Sequence, residues 1–321
     1  MGILSNRGCR ITFLIPWEPI IPSPRCAGLS RPVSGTLEIL AETQKPVQQL
    51  LLNILDLAIW SCHILVDENF VACPFSVDPQ GETLKISLPQ KISGNIILKI
   101  EYQGKIGDKM AGFYRSHFKT EGTSTPIAVT QFEESDARRA FPCFDHPSQK
   151  AVFEIELVID ERLSAISNGP IRSEEKLDDG KKRVRFQPTP RMSTYLVFFG
   201  VGEFEFIEDK EKVMIRVATM PSMIEHAQFG LDFGRKSLKF CEDLFGIPYP
   251  LEKLDLIAIP DFAFGAMENW GAITFRENLL LRYDGITSKA GEENHSHRFH
   301  GRQPLCHVFP VAMVCIKPEP A

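Results

Sequence analysis

Segments with the alternating pattern of β-strands dominate the first two thirds of this chain of 321 residues. They are rich in β-branched and aromatic residues, and Gly, Pro, Asn and Asp stand between them. The clearest of these segments are 83–88, 95–102, 152–158, 182–186 and 195–206. The pattern predicts an all-β region that ends near residue 206, where the charged residues 208–212 mark a turn or a domain junction.

A different pattern follows the junction. Residues 213–219 have the composition of a strand, and residues 222–245 carry apolar side chains at a loosely helical spacing that ends at Gly246. We expect a helix of about six turns there, then a break at 248–250 and an apolar strand over 254–259. This order of strand, helix and strand differs from the all-β pattern that precedes the junction.

The run FAFGAMENWGAITFRE carries one carboxylate, that of Glu268, among apolar and small residues. The glycine and the alternation that follows it suit an extended strand whose backbone approaches another chain closely. A lone Glu in such a run needs a cationic partner, and the α-ammonium group of a peptide would be one. The alternative is an ordinary surface carboxylate on an ordinary strand.

Several motifs give the chain a family likeness. Over about residues 35–291 the chain resembles the M1 zinc aminopeptidases. The motifs that carry the resemblance are the GAMEN run with the Trp270-Gly271 that follows it, the upstream TQFE and DARRAFPC blocks, and the blocks AFPCFDHPSQKAVF and FGIPYPLEKLDLIAIPDF. The likeness is greatest to the puromycin-sensitive and tricorn-interacting-factor branch. The resemblance implies a saddle-like β-sheet domain followed by a thermolysin-like α+β catalytic domain. It also implies the removal of N-terminal residues from peptides by a zinc-activated water.

By that resemblance Glu268 and Glu133 hold the ammonium group of the substrate, and two carboxylates that converge on one cation would reject an internal peptide bond. The residues expected to bind substrate are Gln131, Glu133, Gly265, Ala266, Met267, Glu268 and Asn269. Gly265 and Ala266 would contribute backbone groups. Two alternatives stay open: Glu133 could instead pair with Arg138 or Arg139, and Met267 could pack in the core rather than face a substrate pocket.

The family's metal site is a helix with the sequence HExxH, and no HExxH occurs in this chain. The likeness stops near Gly291, and the residues after it hold His295, His297, His300 and His307 at a spacing that is not that of a zinc site. We therefore expect no complete catalytic set and no specific metal site in this chain. Zinc would be the cofactor of the full-length family members.

Four regions follow from these patterns: an atypical proline-rich segment over 1–34, the β domain over 35–207, a partial peptidase domain over 208–291 and an atypical tail over 292–321. A signal peptide at residues 11–21 is disfavoured because two prolines and a glutamate interrupt the apolar stretch. A net charge of −5 without basic clusters argues against nucleic acid and membrane partners. Eight scattered cysteines suggest reduced thiols and a cytoplasmic location.

The sequence thus predicts an M1-type metalloaminopeptidase, present as a truncated form that keeps the residues recognising the amino end of a peptide and is inactive alone. The alternative is a protein without catalytic activity that binds peptide amino ends or docks on a partner.

Overall fold

The computed structural model of the protein describes residues 4–15, 32–120 and 123–283. In chain order the strands are β1 (Leu4–Leu14), β2 (Pro32–Asn53), β3 (Ala58–Val66), β4 (Asn69–Ala72), β5 (Phe75–Asp78), β6 (Thr83–Lys105), β7 (Gly112–Thr120), β8 (Thr123–Gln131), β9 (Val152–Asp160), β10 (Ser164–Ser167), β11 (Ile171–Lys176), β12 (Lys181–Phe186), β13 (Phe199–Gly202), β14 (Glu205–Lys210), β15 (Met214–Thr219), β16 (Lys253–Ile259), β17 (Ala266–Met267) and β18 (Ala272–Arg276). The α-helices are α1 (Gln228–Phe245) and α2 (Glu277–Leu280), and single 3-10 turns lie at Ala137–Arg139, Thr194–Leu196 and Ile224–His226. The predicted fold class, a mainly β region followed by the start of an α+β domain, is confirmed.

The chain forms two compact units that are not contiguous in sequence. The first consists of the described residues within Met1–Arg115, Ala128–Ala165 and Ile171–Phe199, and the second of those within Ser116–Ile127, Ile166–Pro170 and Gly200–Ala321. Four strands form a sheet in the order β10-β13-β8-β7, and the chain passes from one unit to the other within each of them.

The first unit is built on a sheet of nine described strands in the order β11-β12-β9-β1-β2-β6-β3-β4, with β5 paired to β6. Its core follows the predicted alternation, since the apolar side chains on one face of β2 and β6 are buried. An aromatic cluster fills the interior: the ring centroids of Phe13 and Phe199 are 4.6 Å apart, and those of Phe113 and Phe199 are 5.0 Å apart. Such ring pairs add to the apolar burial that holds this unit together.

The second unit has a five-stranded sheet among its described residues, in the order β14-β15-β16-β18-β17. The three central strands β15, β16 and β18 are parallel, and the two outer strands are antiparallel to their neighbours. Helix α1 packs closely on this sheet because Gly234 leaves room for Leu256, whose Cδ1 would lie 2.5 Å from a Cβ at that position. The helix ends at Gly246, which has the left-handed φ of 64° that favours glycine.

Four local expectations differ from the structure. Residues 4–14 lie in the segment expected to be atypical and proline-rich, yet they form β1, because Ile11 and Phe13 alternate into the core and the strand pairs with both β2 and β9. The expected strands at 83–88 and 95–102 are parts of the single strand β6. The expected strand at 195–206 is divided between β13 and β14, which belong to different sheets. The expected long helix begins only at Gln228: Ser222 has a φ of 69°, which a right-handed helix cannot accommodate, and Ile224–His226 form a separate 3-10 turn.

The structure describes five cysteines, at positions 9, 62, 73, 143 and 241, which are buried and form no disulfide bond. None of the helices that the structure describes is both long enough and apolar enough to cross a membrane.

Candidate functional site

The strand β17, which contains Ala266 and Met267, is the terminal strand of its sheet within the described residues. It pairs antiparallel with β18, with Ala266 opposite Phe275 and Met267 opposite Thr274. The carbonyl oxygen of Gly265 accepts a hydrogen bond of 3.0 Å from the amide of Arg276. This pairing uses one edge of β17. The other edge has no partner strand in the described sheet, so an extended peptide could add to it.

Glu268 follows β17 directly and is half-buried. Within the part of the chain that the structure describes, its carboxylate has no hydrogen bond and no ion pair. A carboxylate that loses part of its hydration without gaining a cation is held at a cost in free energy. The site therefore presents a negative charge that a ligand cation could satisfy.

The neighbours of Glu268 are fully buried. The amide nitrogen Nδ2 of Asn269 lies 3.3 Å from Thr274 Oγ1, whereas Asn269 Oδ1 is buried without a partner among the described residues. Met267 has no exposed surface, as its core-packing alternative requires. Gly265 and Ala266 are half-buried, so their backbone is the more accessible part of this segment.

Gln131 and Glu133 lie in the other compact unit, at the end of β8 and in the turn after it. Gln131 is buried, and neither Nε2 nor Oε1 of its amide has a hydrogen-bond partner among the described residues. Glu133 is exposed. Because Glu133 and Glu268 belong to different units, the convergence of the two carboxylates stays a prediction.

Arg138 and Arg139 are engaged by other carboxylates. Their ion-pair partners are Asp145 at 3.0 Å and Glu82 at 2.8 Å for Arg138, and Asp136 and Asp56, each at 2.7 Å, for Arg139. These contacts order the 3-10 turn that follows Glu133. The hydrogen bonds and ion pairs to Asp145 and Glu82 raise the pKa of Arg138, although burial alone would lower it.

Sequence reasoning missed a buried charged cluster beside the turn that follows Glu268. Lys253 and Asp255, both on β16, are completely buried. The guanidinium of Arg216 on β15 holds Asp255 in two hydrogen bonds of 2.7 and 2.8 Å, and Lys253 Nζ lies 2.7 Å from the same carboxylate. The two charged residues at alternate positions of the apolar strand KLDLIAI were the signal in the sequence.

Opposing effects act on the pKa values of this cluster. Burial lowers the pKa of Lys253 to about 8. The carboxylate of Asp255 opposes this shift by raising the pKa, and the charge of Arg216 adds to it by lowering the pKa. The pKa of Asp255 is lowered, because the charges of Lys253 and Arg216 and their hydrogen bonds outweigh the effect of burial. At neutral pH the cluster therefore holds one carboxylate between two cations.

The described residues do not fit a zinc centre, because they contain no group of three or more His, Cys, Asp or Glu side chains placed to hold a metal ion. The four histidines noted after Gly291 lie outside the described residues.

Comparison with known proteins gives matches over most of the chain. The model of the peptidase M1 N-terminal domain matches residues 24–196, and that of the peptidase family M1 domain matches residues 229–297. A puromycin-sensitive aminopeptidase of Caenorhabditis elegans is 46% identical over 218 residues, which are 66% of this chain and 23% of that protein. Aminopeptidase M1-B of Oryza sativa subsp. japonica is 40% identical over 263 residues, which are 81% of this chain and 30% of that protein.

A third relative gives a similar result. A leucyl aminopeptidase of Saccharolobus solfataricus is 47% identical over 190 residues, or 59% of this chain and 24% of that protein. The chain thus spans between about a quarter and a third of the length of these relatives.

Proposed function

The chain belongs to peptidase family M1, and from this premise we propose that it forms the part of an aminopeptidase that binds the free amino end of a peptide. The resemblance inferred from the sequence motifs is confirmed by this membership. The proposed substrates are peptides with a free N-terminus, and the proposed reaction of the whole protein is hydrolysis of the first peptide bond.

The half-buried carboxylate of Glu268 carries this proposal. It stands beside an edge strand and has no cation of its own among the described residues. A peptide that pairs with the edge of β17 would bring its α-ammonium group to this end of the strand. The ammonium group would then form charge-assisted hydrogen bonds with the carboxylate.

We assign supporting roles to the other predicted residues. Glu133 would supply a second carboxylate for the same ammonium group, and the buried amide of Gln131, which lacks a partner in the described structure, would orient the substrate's polar groups. Gly265 and Ala266 would pair with the peptide backbone. Asn269 would hold the end of the strand through Thr274. Met267, which is fully buried, would form the floor of the site by packing.

Zinc has no fitting set of ligands among the described residues. The sequence also has no HExxH. We therefore expect the purified chain not to hydrolyse an aminoacyl chromogenic substrate, and turnover that a chelator abolishes would overturn that expectation. We also propose a cytoplasmic location, which is supported by the five described cysteines, because none of them forms a disulfide bond.

The test of the amine site compares a short peptide with its N-acetylated form by isothermal titration calorimetry. Loss of one charge-assisted hydrogen-bonded contact is worth about 1.5–3 kcal/mol, or roughly 10- to 150-fold in Kd. We expect acetylation and Glu268→Gln each to weaken binding by that factor. Glu211→Gln, a change of an exposed carboxylate in the same unit, is the control and should have no effect. Equal affinity for the two peptides would refute the proposal.

A double-mutant cycle tests whether Glu133 and Glu268 hold the same ammonium group. If they do, Glu133→Gln should cost less affinity in the Glu268→Gln background than in the unmodified chain. Strict additivity of the two effects would remove Glu133 from the site and leave Glu268 in place.

A further inference from the structure

The ammonium group of Lys253 uses all its donors. Nζ donates to Ser167 O at 2.6 Å, to Gly271 O at 2.7 Å and to Asp255 Oδ2 at 2.7 Å. A lysine ammonium has three N–H groups and no acceptor, so these three acceptors satisfy it completely. Full satisfaction is what allows a charge to be buried with no exposed surface.

Lys253 is not needed to neutralise the charge of Asp255. The carboxylate of Asp255 already has a two-point hydrogen-bonded pair with the guanidinium of Arg216. A second cation is costly in a buried site, and an apolar side chain can often replace such a charge. The contribution specific to Lys253 is its pair of bonds to backbone carbonyls, those of Ser167 and Gly271.

The two carbonyls belong to segments that meet at one turn. Asn168 Nδ2 donates to Trp270 O at 2.8 Å, and a Cβ at Gly271 would lie 2.3 Å from Asn168 O. Gly271 O also accepts the amide of Asp255 at 3.0 Å. The turn 269–271 is thus held between the segment 167–168 and β16, and all of these residues lie in the second unit.

Glu268 lies between two fixed points. On one side Met267 pairs with Thr274 in the sheet. On the other side the amide of Ala272 donates to Asn269 O at 3.0 Å, and the turn continues into Gly271. Displacement of the Gly271 carbonyl would therefore shift the backbone that carries the Glu268 carboxylate.

We propose that Lys253 is a positioning residue that orients Glu268 towards a peptide ammonium group by holding the 269–271 turn through Gly271 O. The inference rests on the proposed function for the role of Glu268, whereas the anchoring of the turn can be measured without any peptide.

Protonation of Lys253 gives a readout that packing alone would not. Burial lowers the pKa of Lys253 to about 8, and a neutral amine has only two N–H groups for the three acceptors. The charged or titratable groups around Nζ are Asp255 on its own strand, Arg216 on β15, and Tyr249 in the segment before β16, whose pKa burial raises. The turn should loosen between pH 7 and 9, as Lys253 loses its proton.

The experiment is hydrogen–deuterium exchange of the full chain, followed by mass spectrometry of peptides that cover 265–276. Lys253→Met removes the ammonium group, keeps an unbranched side chain that is one atom shorter, and leaves Asp255 paired with Arg216. We expect exchange at 269–272 to be about tenfold faster in this variant at pH 7. Lys239→Met, on the exposed surface of α1, should leave these amides unchanged. Equal exchange in the two variants would overturn the proposal.

The pH series is decided by the unmodified chain, so its outcome does not depend on the folding of a variant, and Lys253→Met serves only as the control. After correction for base-catalysed exchange, protection at 269–272 should fall between pH 7 and 9 in the unmodified chain and stay constant in Lys253→Met. Constant protection in the unmodified chain would overturn the anchoring role.

Peptide binding at pH 7 completes the test. We expect Lys253→Met to weaken the free peptide about tenfold and the acetylated peptide hardly at all. If the unmodified chain does not distinguish the two peptides while the exchange results hold, the proposed function fails and the anchoring of the turn stands.

Discussion

Replacement of Gly271 by alanine should destabilise the second unit through two effects, backbone strain and a steric clash. A second glycine in the chain allows the two effects to be measured separately. Gly271 has a φ of 71°, in the left-handed region where an L-residue costs about 1–2 kcal/mol. Its Cβ would also lie 2.3 Å from Asn168 O and 3.0 Å from Leu251 Cδ1. The first of these atoms belongs to the backbone, so relief of the clash requires a main-chain shift of about 1 Å to restore normal contact.

That shift would weaken two hydrogen bonds. One runs from Lys253 Nζ to Gly271 O and the other from Asn168 Nδ2 to Trp270 O. The first is charge-assisted and worth about 1.5–3 kcal/mol, and the second is worth about 1 kcal/mol. With the backbone term added, we expect Gly271→Ala to lower the free energy of unfolding by about 3.5–6 kcal/mol.

Gly246→Ala is the matched control. Gly246 has nearly the same φ, 64°, and among the described residues no atom beyond its chain neighbours and its own helix backbone lies within 4 Å of a Cβ built there. Its replacement should therefore cost only the backbone term, about 1–2 kcal/mol.

The assay is urea denaturation followed by circular dichroism, with the transition of the second unit fitted by itself. Free energies of unfolding for the two variants that agree within about 0.5 kcal/mol would refute the close approach of Gly271 to Asn168.

Two further predictions concern the cores of the units. Phe199→Ala should lower the free energy of unfolding of the first unit by about 3–5 kcal/mol, because the ring of Phe199 is central to the aromatic cluster. The control is Trp60→Ala, at an exposed position, which should change this free energy by less than about 0.5 kcal/mol in the same urea assay. Burial and the nearby charge of Asp261 raise the pKa of Glu277, so the folded state holds its proton to higher pH than the unfolded state, and stability falls as pH rises through this window. Glu277→Gln should therefore be more stable than the unmodified chain at pH 7 and lose that advantage below the unfolded-state pKa of about 4.3; an advantage that does not depend on pH would contradict this cause.

The sequence was sufficient where local patterns determine the structure. Alternation predicted the strands of the first unit, and Gly246 predicted the end of α1 because a left-handed residue is needed there. The recognition segment was predicted as an extended strand, and β17 is one, although only two residues long.

Local patterns failed where distant segments meet. The strand β1 stands next to a proline-rich stretch, and its pairing with β9 joins residues more than a hundred positions apart. The division into units has the same origin, since residues 116–127 and 166–170 join the second unit from far along the chain. The hydrogen-bond partners of Lys253 could not be predicted for the same reason. Ser167 and Gly271 are distant from Lys253 in sequence and contribute only backbone oxygen atoms, which leave no mark on the residue pattern.

The buried and half-buried carboxylates of the chain differ in a way that bears on function. Asp255 has two cations, and Asp145 has Arg138 and the hydroxyl of Thr194. These carboxylates are paired because an unpaired charge away from water is unfavourable. Glu268 contrasts with them, since the described residues supply neither a cation nor a hydrogen-bond donor to it. The half-buried Glu277 on α2 is in the same condition, but of the two only Glu268 directly follows the edge strand β17.

A carboxylate that served only the stability of the fold would be more favourable with a cation or a hydrogen-bond donor beside it. A carboxylate that binds a ligand must stay unpaired until the ligand arrives. Its lack of a partner within the protein therefore lowers the stability of the fold and at the same time makes ligand binding favourable. On the proposed function, the ammonium group of the peptide completes a pairing that the chain itself leaves open. The rigid turn held by Lys253 would prevent Glu268 from relaxing towards a partner within the protein, which is why anchoring and recognition should fail together in Lys253→Met.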